Sequence, residues 1–165
     1  MSRINLKTSH MKTFILLTVL LLPLTADLSA ESINPLSIYI DREGKLLYLD
    51  FFEDNELIRI SSAGNLIVYS SRSRANQWGG QVNQIFFFGK YSYEISYSFF
   101  KISKLSIKDS GKEIIFDYLF DQLRSVSVAG TDYKIKVKYF IDSVDEISGS
   151  IPGVSLYVDL TESAK

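Results

Sequence analysis

From about residue 31 onward the chain repeats one degenerate unit almost to its end. Each unit has an alternating apolar arm, an aromatic or bulky pair, a short polar break, a second apolar arm and a glycine. The glycines are Gly44, Gly64, Gly89, Gly111, Gly130 and Gly149, spaced by 20, 25, 22, 19 and 19 residues. Arms with a period of two are β-strands, and a unit of two arms is a hairpin too small to bury its own apolar face. The units must therefore stack. The expected fold is all-β: an antiparallel meander of about five hairpin repeats, forming an open curved sheet or a two-layer sandwich. It occupies residues 31–160 as one domain, with 161–165 as a C-terminal tail.

The cleanest arm is Tyr133-Lys134-Ile135-Lys136-Val137-Lys138-Tyr139, apolar at odd positions and lysine at even ones. One face of this strand is buried and the other is wet. Asp109-Ser110-Gly111-Lys112 and Asp41-Arg42-Glu43-Gly44 are turn sequences between such arms. Ser92 to Phe100 alternates and is expected as one strand. Overlaying the breaks aligns Phe51-Phe52, Phe99-Phe100, Tyr118-Leu119-Phe120 and Tyr139-Phe140-Ile141 at the end of each first arm. There they can cap the face of the neighbouring hairpin.

The first 30 residues read as a secretory signal. Lys7 and Lys12 precede the 12-residue apolar run Thr13 to Leu24, shorter than the roughly 20 residues of a membrane-spanning helix. Ala30, or failing that Ala26, suits the residue before cleavage, and Met11 is an alternative start. The exported chain would keep 135 residues, enough to bury roughly two-thirds of its unfolded surface. It would have no cysteine, and its single histidine, His10, falls in the leader. That composition excludes Ser-His-Asp and Cys-His nucleophilic sites, and removes the usual ligands of structural zinc, blue copper and haem. No catalytic residue, metal or cofactor is expected. Asp, Glu, Lys and Tyr remain, enough chemically for a carboxylate-pair glycosidase. From residue 31 there are 15 Lys+Arg against 18 Asp+Glu, so no basic surplus draws nucleic acid. Absence of disulfides suits a bacterial periplasmic, envelope or secreted protein.

Gly111-Lys112-Glu113-Ile114-Ile115-Phe116-Asp117-Tyr118, followed by Phe120-Asp121-Gln122-Leu123-Arg124, resembles the bacterial YD repeat of RHS-type proteins. Phe120-Asp121 stands where Tyr-Asp would be, the glycine after it is missing, and Leu-Arg replaces Arg-Leu. The resemblance implies a β-hairpin sheet with a shell or surface role, without an active site.

The longest interruption, Ser71 to Gln81, holds the only tryptophan. Arg72, Arg74, Gln77 and Trp78 are its candidate ligand- or partner-binding residues, because Trp and Arg are enriched at binding hot spots. The competing reading is a long hairpin loop whose Trp packs over a sheet edge. Phe86-Phe87-Phe88 must send side chains to both sheet faces, so at least one leaves the main core. The acidic turns Glu53-Asp54-Asn55-Glu56 and Asp142 to Glu146 lack calcium-loop spacing and read as solvated turns. Together these features describe an exported, non-enzymatic β-sheet module binding a protein or a glycan at a cell surface. A small outer-membrane β-barrel, the one reading that brings in a membrane, and a carbohydrate-binding domain that stacks sugars on Trp78 and Tyr rings are the alternatives.

Overall fold

The computed structural model describes residues 33, 35–68, 73–75 and 83–161. The whole of the expected leader, and Arg72, Gln77 and Trp78, lie outside the described residues. The described chain forms two sheets. The first has five strands in the order β13-β1-β2-β3-β4, built from β1 (Leu36–Ile40), β2 (Leu46–Glu53), β3 (Glu56–Ser61), β4 (Leu66–Val68) and β13 (Val154–Val158). The second is an unbroken meander of eight: β5 (Ser73–Ala75), β6 (Gln84–Phe88), β7 (Tyr91–Ser98), β8 (Lys101–Ile107), β9 (Lys112–Leu119), β10 (Gln122–Val128), β11 (Lys134–Phe140) and β12 (Ser143–Ser150).

Alternation in the sequence becomes alternation in burial. On β11, Ile135 and Val137 are buried while Lys134, Lys136 and Lys138 face water. On β6, Gln84, Phe86 and Phe88 point inward and Phe87 outward. The two inward faces share one core cluster. Phe51 of β2 reaches across to Phe86 and Tyr93 of the larger sheet, with centroids 5.2 and 5.1 Å apart in edge contacts. Burying a side chain of this kind contributes about 1.5–3 kcal/mol. The result is a two-layer arrangement of open sheets with their apolar faces packed inward.

Three details differ from the sequence expectation. The first and last strands pair in parallel, Leu36 opposite Val154 through Ile40 opposite Val158, so the meander is antiparallel everywhere but at this junction. Ser73–Ala75, inside the expected long loop, forms edge strand β5 beside β6. The strand expected to run to Phe100 ends at Ser98, and Phe99-Phe100 is a turn.

The regular interval is not the glycine spacing. The hairpins β7–β8, β9–β10 and β11–β12 turn at residues 99–100, 120–121 and 141–142, a constant step of 21. Each carries a one-residue bulge at the same offset, at Ser103, Arg124 and Asp145. Glycine spacing varies because only Gly89, Gly111 and Gly130 sit in loops at the opposite end, whereas Gly149 lies within β12 and Gly44 belongs to the β1–β2 turn.

The bulges create the joints between hairpins. A bulge breaks the ladder locally and leaves backbone groups to pair elsewhere. Just before each bulge, Ile102 O accepts the Tyr118 hydroxyl at 2.9 Å and Leu123 O accepts the Tyr139 hydroxyl at 2.6 Å. Leu123 N–H donates to Gly44 O and Val144 N–H donates to Arg42 O, both at 2.9 Å. The β1–β2 turn of the smaller sheet is thus clamped onto the larger one. Gly44 has φ +86°, and a Cβ there would lie 2.0 Å from the Tyr139 hydroxyl oxygen, so both the backbone and the space require glycine.

Candidate functional site: a crest of apolar hairpin turns

Two-residue hairpin turns match strand twist when their residues take positive φ, which is why Asn, Asp and Gly fill them. The β2–β3 turn obeys: Asp54 has φ 47° and Asn55 φ 64°. The three turns at the far end of the larger sheet do not. Phe99 (φ 47°) and Phe100 (φ 63°) form one, Phe120 (φ 55°) opens the next and Ile141 (φ 56°) opens the third. A non-glycine residue held there costs on the order of 1–3 kcal/mol, and a β-branched residue such as isoleucine is the least suited. Burial does not offset this cost. Phe99 is 91% exposed, Phe120 87% and Ile141 80%, with Phe100, Leu119 and Phe140 exposed beside them.

The three turns close adjacent hairpins of one sheet, so they stand in a row. Two strands separate successive turns, or about 10 Å at normal strand spacing. Of the bulky residues that the sequence places as caps over neighbouring hairpins, Phe51 lies in the core and Tyr118 and Tyr139 bond the preceding hairpin, whereas Phe99, Phe100, Phe120 and Ile141 are turn residues that project from the end of the sheet as an apolar crest.

The base of the crest carries paired charge. Lys101 Nζ lies 2.7 Å from Asp121 Oδ1 and also donates to Phe120 O. This ammonium holds the Asp121 carboxyl below its ordinary range. Lys138 Nζ pairs with Glu146 Oε2 at 2.6 Å, which raises the Lys138 pKa. Between the Phe99-Phe100 turn and the β1–β2 hairpin is a depression of about 350 Å³ lined by Lys45, Leu46, Phe99, Phe100, Lys101 and Asp121, among others. Behind it, burial pushes the Tyr139 hydroxyl up to about 12 and Tyr118 higher still. Tyr97, at the matching position of the preceding hairpin, is also raised to about 12 by burial.

Of the residues singled out from sequence, Arg72, Gln77 and Trp78 lie outside the described residues. Arg74 is on β5 with its Cα opposite Phe87, not in a loop. The described flank Asn83 sits at the crest end, its Oδ1 accepting Tyr97 N–H at 3.3 Å. Phe87 is the residue of the Phe86-Phe87-Phe88 run that leaves the core. Among the described residues, no three of His, Cys, Asp and Glu gather as a metal-ligand set. The signal that finds the crest in sequence is a missing one: at a 21-residue step, the first turn position holds Phe or Ile where Gly or Asn belongs.

A second aromatic group lies on the outer face of the smaller sheet. Tyr39 stacks on Tyr48 at 4.5 Å and on Tyr157 at 5.2 Å, and the Arg59 guanidinium lies 3.9 Å over the Tyr48 ring. Arg59 is held by the buried Asp50 carboxylate through bonds of 2.6 and 2.7 Å. Rings stacked on one another offer solvent their edges more than their faces, so this ladder staples β2, β1 and β13 together and makes a poor sugar platform.

Comparison with known proteins yields no matching family model, no matching curated protein and no matching solved structure.

Proposed function

We propose that the chain is an exported, non-enzymatic β-sheet module that docks onto a protein or cell-surface partner through its crest of hairpin turns. One observation carries the reading. Large apolar side chains occupy strained turn positions at three adjacent hairpins while remaining exposed. Folding gains nothing from them there, and residues that break a local rule without structural compensation mark functional surfaces. Lack of histidine and cysteine beyond the leader supports a binding role over nucleophilic or zinc chemistry. The surface role implied by the YD-repeat resemblance agrees with it.

The test is retention. The full chain and a variant carrying Phe99→Asn, Phe100→Gly, Phe120→Gly and Ile141→Gly are expressed in the host and fractionated without detergent. Wild type is expected in the envelope fraction and the variant in the soluble fraction. Equal distribution of the two would sink the reading.

A further inference from the structure

We infer that the surface the crest meets is the headgroup layer of a zwitterionic phospholipid bilayer, entered shallowly by the turn residues. This rests on the reading of the crest as the docking surface and names its partner.

Shape is the first argument. The Phe99-Phe100 pair, Phe120 and Ile141 stand on three turns about 10 Å apart, two strands per step, and all four side chains are exposed. A folded partner would need a matching pocket for every finger. A fluid apolar layer needs none, and it accepts aromatic and aliphatic tips alike.

Charge is the second. An anionic membrane would select a basic rim. Here Lys101 is neutralised by Asp121 and Lys138 by Glu146, and Asp142 lies at a turn position itself. The depression behind Phe99-Phe100 presents both signs, with Lys45 beside the Lys101–Asp121 ion pair. That combination suits a headgroup holding both a phosphate and an ammonium. Lysine stems can lie along the apolar tips while their ammonium ends reach phosphate. The carboxylates next to the tips limit depth, so the crest rests in the interface and does not span.

The chain has no cysteine, so one introduced thiol is labelled uniquely. The full chain carrying Asp142→Cys at the crest, and separately Asp132→Cys at the opposite end, is labelled with an environment-sensitive fluorophore and titrated with phosphatidylcholine vesicles. The crest label is expected to shift to the blue and to be quenched by a shallow lipid-borne quencher, with the Asp132 position unchanged. Replacing the four turn residues as above is expected to raise the lipid concentration needed at least tenfold, and Lys45→Glu several-fold. Adding salt or phosphatidylglycerol is expected not to tighten binding.

No response at the crest, or an equal response at both ends, overturns the lipid assignment. Unchanged titration of Lys45→Glu overturns the seating of a headgroup in the depression. If the turn variant loses envelope retention while neither label senses vesicles, docking stands and the partner is a protein. If neither experiment responds, both readings fall.

Discussion

A phenylalanine with φ near +50° is a side chain placed against its own backbone preference. Phe99-Phe100 occupies a turn that Asn-Gly would fill without strain. Replacing the pair by Asn-Gly should therefore stabilise the fold, by about 1 kcal/mol or more, which is roughly 3–5 °C in Tm for a domain of this size. Thermal unfolding followed by circular dichroism checks it. A fall in Tm would mean that these rings pack on something in the native state and are not a free crest. The opposite sign is expected at Gly44. Gly44→Ala places a methyl against the Tyr139 ring at φ +86° and should destabilise by about 2 kcal/mol or more, read from a denaturant midpoint.

At the scale of the element, the repeated hairpin is defined by its joints as much as by its strands. Tyr118 and Tyr139 each donate a hydroxyl to the carbonyl just before the preceding hairpin's bulge. Tyr139→Phe should cost about 1–3 kcal/mol, because Leu123 O is left without that donor. The buried tyrosines also set an alkaline limit. Tyr97 and Tyr139 titrate near 12 in the folded chain, against about 10 when unfolded. Between those values the folded chain keeps protons that the unfolded chain has released, so stability is full below pH 10 and falls as pH rises toward 12. Equilibrium unfolding at pH 8, 10 and 11.5 measures this, and Tyr139→Phe should flatten the slope.

Strands were legible in the sequence because burial follows a period of two, and Ile135 and Val137 between lysines leave one choice of face. The turns were less legible. Asp54-Asn55 announces itself, whereas Phe99-Phe100 reads as strand until the bond pattern shows otherwise. The crest was legible only as an alignment of bulky residues, and periodicity alone does not say whether such residues cap a core or leave it. Strand β5 was missed because Ser73-Arg74-Ala75 has neither alternation nor β-branched residues, and only its pairing with β6 makes it a strand.

For the whole molecule, the pairing least visible in sequence is the parallel contact of β1 with β13. Strand neighbours in a meander follow from order along the chain; this pair joins Leu36 to Val154, 118 residues apart. Ending the chain after Ser150 should leave the β1 edge bare and remove Val154 from the core, with loss of cooperative unfolding or a drop of at least about 3 kcal/mol. Urea titration of the truncated chain decides it, and an unchanged midpoint would show that the smaller sheet holds without its last strand.

That pairing also fixes when the molecule can be finished. As the chain is synthesised, the hairpins of the larger sheet can assemble one after another from neighbouring residues. The smaller sheet must wait with its β1 edge bare until Val154–Val158 arrives, because β13 follows every strand of the larger sheet and belongs beside β1. The β1–β13 pairing thus acts as a check on the domain: a chain stalled before Val154 lacks this latch and stays open to unfolding and proteolysis.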